Sequence, residues 1–178
     1  MRTFRQASLK DTTNIYRLVE SAYRGEASRA GWTTEADLID GQRTDTIEIS
    51  CILNRTGNRI ILCEEKEQLL GSMHIAQKED YAYLGMFAVR PDCQGKGVGK
   101  DMLSYAEDMV FSEMECNWLE MTVITQRKDL IGWYQRRGYE VSGKTRPFPY
   151  GDTRYGIPRR DDLILEVLKK RREMANTG

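Results

Sequence analysis

Residues 86–100 read M-F-A-V-R-P-D-C-Q-G-K-G-V-G-K, and this stretch decides how the chain folds. The apolar run 81–89 reads as a strand that Pro91 ends, because proline fixes its own φ and has no N–H to give to a ladder. Gly95, Gly97 and Gly99 follow within five residues. Beyond them Val98, Met102, Leu103, Ala106 and Met109 recur at helical spacing, which predicts a helix over 97–115. A glycine-rich turn between strand and helix exposes N–H groups without intrahelical partners, where the helix dipole favours negative charge. Glycine also lets the backbone come close to a ligand. A phosphate or pyrophosphate is the natural occupant, with Lys96 and Lys100 adding positive charge.

Working outward, residues 2–7 predict a strand, and Ser8 caps a helix over 9–23 with Ile15, Leu18, Val19 and Ala22 on one face. Residues 24–45 are polar; Thr34 is expected to cap a short helix that Gly41 stops. Residues 45–54 suit a helix by length and a strand by their isoleucines. Strands are expected at 59–64 and 69–77 around a polar turn. After the central helix come a strand at 117–124, a helix at 127–137 stopped by Gly138, and strands at 139–145 and 162–168. The basic residues 169–178 are expected to form a frayed tail behind a single domain of residues 1–168. Strand runs mixed with crossover helices indicate an α+β fold.

Composition narrows the chemistry. The 178 residues carry 27 Lys+Arg and 27 Asp+Glu, so zero net charge argues against nucleic acid as the partner and against an anionic membrane surface. One histidine, His74, excludes a multi-histidine metal site, and the four cysteines form no C-x-x-C pair, so no metal is expected. No apolar run is long enough to span a bilayer. Free thiols suggest a cytoplasmic protein.

The turn fails two phosphate-binding patterns. Gly95 and Gly99 have three residues between them where a Walker A loop needs four, and Asp101 stands where that loop has Ser or Thr. Neither Gly95 nor Gly97 starts a G-x-G-x-x-G run. Gln94-Gly95-Lys96-Gly97-Val98-Gly99 instead resembles the Q/R-x-x-G-x-G/A motif of the GNAT-type N-acetyltransferase superfamily. Met86-Phe87-Ala88-Val89-Arg90-Pro91 is similar to that family's L-A-V-x-P entry. Trp133-Tyr134-Gln135-Arg136-Arg137-Gly138-Tyr139 is similar to its L-Y-x-x-x-G-F segment. The resemblance covers about residues 2–168. It implies a central, mostly antiparallel, twisted sheet of about seven strands flanked by about four helices.

The resemblance also implies acetyl-CoA as donor. Backbone N–H groups of Gln94, Gly95, Lys96, Gly97, Val98, Gly99 and Lys100 would hold its pyrophosphate. Phe87, Ala88 and Val89 would pair with the pantetheine arm, in a strand that carries a bulge in the family. Gly85 is the expected point of irregularity. The family often has Asn where this chain has Arg127, which is expected to reach a phosphate. Tyr134 aligns with the tyrosine that protonates the leaving thiolate. Taking the proton from an alkylammonium of pKa near 10.4 at pH 7 costs about 4.6 kcal/mol, so a base has work to do. Glu79, Asp80, Glu120 and His74 are its candidates, each with an ordinary structural alternative.

The resemblance further implies that two regions flank the acceptor, 23–45 with Tyr23, Trp32, Glu35 and Asp37, and the Pro- and aromatic-rich 144–160 with Phe148, Tyr150 and Tyr155; Tyr83 joins them from the central strand. The second region carries five Lys/Arg against one Asp, which suits an anionic acceptor group, and a packed loop or homodimer contact is its alternative. The expected reaction is acetyl transfer to a primary amine, of a small molecule before a protein N-terminus or lysine. A non-catalytic acyl-CoA sensor is the alternative of a different class.

Overall fold

The computed structural model describes residues 1–173, and the last five residues of the expected tail lie outside that range. Strand β1 (Thr3–Gln6) is followed by α1 (Thr12–Tyr23), the two-residue β2 (Ile39–Asp40) and α2 (Thr46–Asn54). Then come β3 (Asn58–Glu65), β4 (Gln68–Gln77), β5 (Tyr81–Val89) and α3 (Val98–Asp108). The chain continues through β6 (Trp118–Ile124), α4 (Lys128–Gln135), β7 (Glu140–Pro147), β8 (Ile157–Pro158) and β9 (Ile164–Arg171). Seven strands form one sheet in the order β1-β3-β4-β5-β6-β9-β7. Every neighbouring pair is antiparallel except β5 and β6. This is the expected mixed α+β architecture with four helices. Among the described residues, no helix is long and apolar enough to cross a membrane.

The sheet is buried on both faces, so its middle strands read as nearly continuous apolar runs. One core gathers Met73, Ile75, Leu84, Met102, Leu103 and Leu119 beneath α3 and α4. The other packs Ile15, Val19, Ile49, Ile60 and Leu62 under α1 and α2. Residues 46–54 resolve as helix because Asp45 accepts the Glu48 N–H at 2.7 Å and the isoleucines divide, Ile49 buried and Ile47 exposed. The helix expected from residue 9 begins with a 3-10 turn, in which Ser8 donates to Asp11 through N–H and Oγ. Helix α3 ends at Asp108 and runs on as one π-helical turn, Met109–Glu113.

Two expectations need correction. Thr34 begins no helix: its Oγ1 accepts the Ala36 N–H at 3.2 Å over a single turn, and the chain then extends into β2. That strand pairs with β8, so residues 39–40 and 157–158 join in a small second sheet. The expected tail also starts too early. Lys169, Lys170 and Arg171 continue β9 against β6. Their long stems cover apolar surface while the heads find partners. The Lys169 ammonium lies 4.3 Å from the Trp118 ring centre, and Lys170 pairs with Glu107 at 2.8 Å.

The functional cleft arises where the sheet opens. Strands β5 and β6 pair only from Tyr81 to Tyr83 and then diverge. On the other edge of β5 the register with β4 slips, and Met86 and Phe87 have no ladder partner. The irregularity centres on Met86, at φ +42°, rather than on the neighbouring Gly85. A side chain held at positive φ is uncommon and costs about 1–3 kcal/mol, which the surrounding sheet must over-determine.

Candidate active site

Two cavities meet at this opening. The first, of about 420 Å³, lies between the end of β5, the glycine turn and α4. Gly95, Gly97 and Gly99 line it with Phe87, Val89 and Trp133. Gly95 and Gly97 adopt φ of +76° and +81°, a conformation that only glycine takes without strain. Among the described residues, the N–H groups of Gly95 through Lys100 meet no backbone acceptor. A run of open donors at a helix start, with an apolar strand end beside it, fits a phosphate-bearing ligand with an extended arm.

The sequence-predicted residues of this region divide. Lys100 lines the cavity, whereas Val98 and Ala88 are buried in the cores on either face of the sheet. The Lys96 carbonyl accepts from Arg2 Nη2 at 2.7 Å, and Arg2 also pairs with Asp101, so the first residues of the chain brace the turn. The Gln94 side chain is a clamp: it accepts the Trp32 N–H at 2.8 Å and donates to Thr33 Oγ1 at 2.8 Å and to the Val89 carbonyl at 3.0 Å. Arg127 departs from expectation. It lies outside the cavity lining and is buried, donating to the carbonyls of Trp32 at 2.9 Å, Thr33 at 3.1 Å and Thr34 at 3.2 Å. A guanidinium with its fork filled by three carbonyls and by Asp129 is committed to the loop, not to a phosphate. Trp133, Leu130 and Arg137 line the cavity although composition and spacing pointed to none of them; Arg137 stacks over the Trp133 ring at 3.6 Å.

The second cavity, of about 230 Å³, fills the gap between the diverging β5 and β6. Tyr83, Met86 and Phe87 face Thr122 and Val123 across it, and Phe148, Pro149 and Tyr155 come from the loop that β2 and β8 tie down. Tyr83 Oη and Thr122 Oγ1 are 3.1 Å apart. Trp32 does not reach this cavity; it lines the first, with its ring 6.2 Å from that of Trp133. Tyr150 also lies outside the lining. Its hydroxyl accepts the Leu163 N–H at 2.7 Å and donates to the Arg160 carbonyl at 3.0 Å, which holds the loop, and its ring supports Phe148. The local excess of positive charge along 144–160 is mostly answered by carboxylates: Arg154 pairs with Asp152, Arg159 with Asp40 and Arg160 with Asp162.

Tyr23, Phe87, Leu130 and Tyr134 line both cavities and form the wall between them. Tyr23 donates its hydroxyl to the Phe87 carbonyl at the bulge. Burial pushes its pKa up to about 12, with Glu35 adding to the rise. Burial likewise holds the Tyr134 phenol well above its usual range, and the neighbouring Tyr23 and Tyr83 act the same way. Both are therefore neutral hydroxyls across ordinary assay pH. Tyr134 is fixed edge-on between Trp133 and Tyr139, with ring centres 5.0 and 5.6 Å away.

None of the base candidates lines either cavity. Glu79 and Asp80 sit at the far turn between β4 and β5, and Glu120 faces Tyr83 and Lys169 in the ladder. His74 bonds Asn58 Oδ1 through Nε2 at 2.7 Å, and burial lowers its pKa to about 4. The carboxylate that does line the second cavity is Glu35, and Arg24 engages it in a buried pair.

Comparison with known proteins gives the family and the fold. Residues 13–139 match the model of the Acetyltransferase (GNAT) family. The chain is 27% identical over 146 residues to S-alkylcysteine N-acetyltransferase of Bacillus subtilis (strain 168), with 78% of each sequence covered. Its fold is similar to that of ribosomal-protein-S18-alanine N-acetyltransferase from Escherichia coli, at TM-score 0.72 and 16% identity over 100% of this chain and 98% of that one. It is also similar to an N-acetyltransferase from Staphylococcus aureus Mu50, at TM-score 0.73 and 14% identity over 96% and 97%.

Proposed function

Because the chain belongs to the GNAT acetyltransferase family, whose members use acyl-CoA as donor, we propose that it transfers acetyl from acetyl-CoA to the primary amine of a small molecule. The observation that carries the proposal is the shared wall: Tyr134 faces a glycine-cradled cavity on one side and, on the other, a second cavity between the diverging strands. The open N–H groups of Gly95–Lys100 suit the donor's pyrophosphate, and the unpaired backbone at Met86–Phe87 suits its arm. The second cavity is the acceptor site. The small sheet β2–β8 draws Pro149 and Tyr155 over it, and this enclosure favours a small amine over a polypeptide. The relative from Bacillus subtilis is named for a small amine as well.

The donor supplies a thioester carbonyl. The amine lone pair forms the new C–N bond there, and the C–S bond breaks with its electron pair going to sulfur. Tyr134, neutral and otherwise without a hydroxyl partner among the described residues, gives its proton to that sulfur and regains one from solvent as the products leave. The oxygen that gains charge needs a donor, and the backbone N–H at Phe87 is our assignment because the bulge frees that edge from the ladder. Tyr23 holds the Phe87 carbonyl and so fixes the direction of that peptide. The amine proton passes to solvent, since Glu35 is held by Arg24 and no other carboxylate among the described residues lines the acceptor cavity.

Release of free CoA thiol with a panel of primary amines tests this reading. Tyr134→Phe is expected to lower kcat by about 10² or more while the Kd for acetyl-CoA changes less than about threefold. Absence of turnover with every amine, together with intact acetyl-CoA binding, would establish a sensor instead.

A further inference from the structure

Three charged side chains line the acceptor cavity: Arg24, Glu35 and Arg43. Two of them answer each other. Arg24 and Glu35 form a buried ion pair, and Arg24 also donates to the Tyr155 carbonyl at 3.3 Å. Arg43 is different. Among the described residues no carboxylate comes within 4.0 Å of its guanidinium. Its main chain is nevertheless fixed, because Glu20 Oε1 accepts the N–H groups of both Arg43, at 2.7 Å, and Thr44, at 3.0 Å. The guanidinium lies 6.0 Å from the centre of the Tyr23 ring, the ring whose hydroxyl marks the bulge.

The cavity therefore holds one net positive charge, placed on a rigid backbone, inside walls that are otherwise largely apolar. Ile39, Met121, Val123, Phe148 and Leu165 supply those walls. Arg24 Nε adds a buried donor with no acceptor of its own. A cation left without a counter-charge in a partly desolvated pocket selects an anion, and a guanidinium selects a carboxylate by its two-pronged geometry.

Resting on the acetyl-transfer reading above, we propose that the acceptor amine also carries a carboxylate, which Arg43 binds, and a compact apolar side chain, which the Phe148 wall covers. The substrate class is the small apolar amino acid. The same charge disfavours polyamines, whose second ammonium would enter a pocket that is already positive.

Matched pairs of acceptors test this with the full chain and acetyl-CoA. L-methionine and L-phenylalanine are compared with 3-(methylthio)propylamine and phenethylamine, which lack only the carboxylate, and with spermidine. The expected kcat/KM favours each amino acid over its amine by about tenfold to a hundredfold. In Arg43→Gln that ratio falls to near one, chiefly through KM for the amino acid, and Arg43→Lys restores part of it. Each ratio is taken within one protein preparation, so partial misfolding does not move it. Amines or spermidine turned over as well as the amino acids, or a ratio unchanged in Arg43→Gln, would overturn the carboxylate assignment and leave acetyl transfer to small amines standing. A second measurement does not need turnover. N-acetyl-L-methionine is expected to bind the CoA-loaded protein by calorimetry and to lose at least tenfold in affinity in Arg43→Gln. No saturable binding to the unmutated protein would overturn the proposal.

Discussion

Arg127 offers the sharpest test of how this cleft is held. Its Nη2 donates to the Trp32 carbonyl at 2.9 Å, and its Nη1 is shared between Thr33 at 3.1 Å and Thr34 at 3.2 Å. A hydrogen bond from a charged donor contributes about 1.5–3 kcal/mol net, and the shared nitrogen makes two bonds the fair count. Removing them costs about 3 kcal/mol once the loop relaxes toward water. In a chain of 178 residues each kcal/mol moves Tm by about 2–4 °C, so Arg127→Ala should melt about 6–12 °C lower. Thr33 and Trp32 line the first cavity, the proposed donor site, so acetyl-CoA affinity should fall as well, by about fivefold to tenfold. Arg127→Lys separates the two roles of the residue. Lysine keeps the charge but loses the fork, so it should resemble Arg127→Ala in both Tm and affinity. The ratio of variant to unmutated Kd should be the same at about 50 mM and about 500 mM salt, because no phosphate contact has been removed. Thermal melts and calorimetric titrations read these quantities. A lysine variant that restores affinity, or a Tm loss below about 2 °C in Arg127→Ala, would refute the loop-anchor reasoning.

Two further outcomes are expected. Gly99 has ordinary φ, and a Cβ there would meet Trp133 at 3.6 Å and Val89 at 3.8 Å, so Gly99→Leu should fill the donor cavity without straining the turn. Saturable acetyl-CoA binding should disappear while Tm stays within a few degrees; full affinity would remove the ligand from this cavity. The lone histidine gives a pH signature. Burial, reinforced by Lys78, Arg55 and Arg43, lowers the folded His74 pKa from 6.5 to about 4, so the unfolded chain takes up its proton first. That contribution to stability is complete above pH 6.5 and is lost as pH falls toward 4. The Tm of the unmutated protein should therefore drop more steeply across that window than that of His74→Gln, and parallel curves would contradict it.

The glycine turn and the helix that carries Tyr134 were legible in the sequence as structure because each is a local signal with a partner signal nearby: a proline-ended strand before the turn, a Gly138 stop after the helix. What the sequence hides depends on contacts between distant segments. Arg127 stands beside α4 in sequence, but its carbonyl partners lie 93 to 95 residues away. Trp32 and Tyr150 have the right chemistry for an acceptor pocket, yet the Gln94 clamp holds the Trp32 backbone beside the first cavity and the Arg160–Leu163 backbone takes up the Tyr150 hydroxyl. Glycine is the usual signal of irregularity in a strand and points to Gly85. Tertiary pairing placed it one residue later on Met86, where no propensity would mark it. The end of β9 is hidden in the sequence for a related reason. A run of Lys and Arg reads as solvated until Trp118 and Glu107 are seen beside it.

The wall between the cavities has a consequence for size. Tyr23, Phe87, Leu130 and Tyr134 each touch both spaces, so on the proposed reading the amine meets the thioester between these four side chains. On that reading, an acyl group longer than acetyl extends past these side chains into volume the amine must occupy. Acyl length and acceptor bulk therefore draw on one allotment of space. A propionyl or butyryl donor should be tolerated only with smaller amines, and a shorter side chain at Leu130 should relax both limits at once.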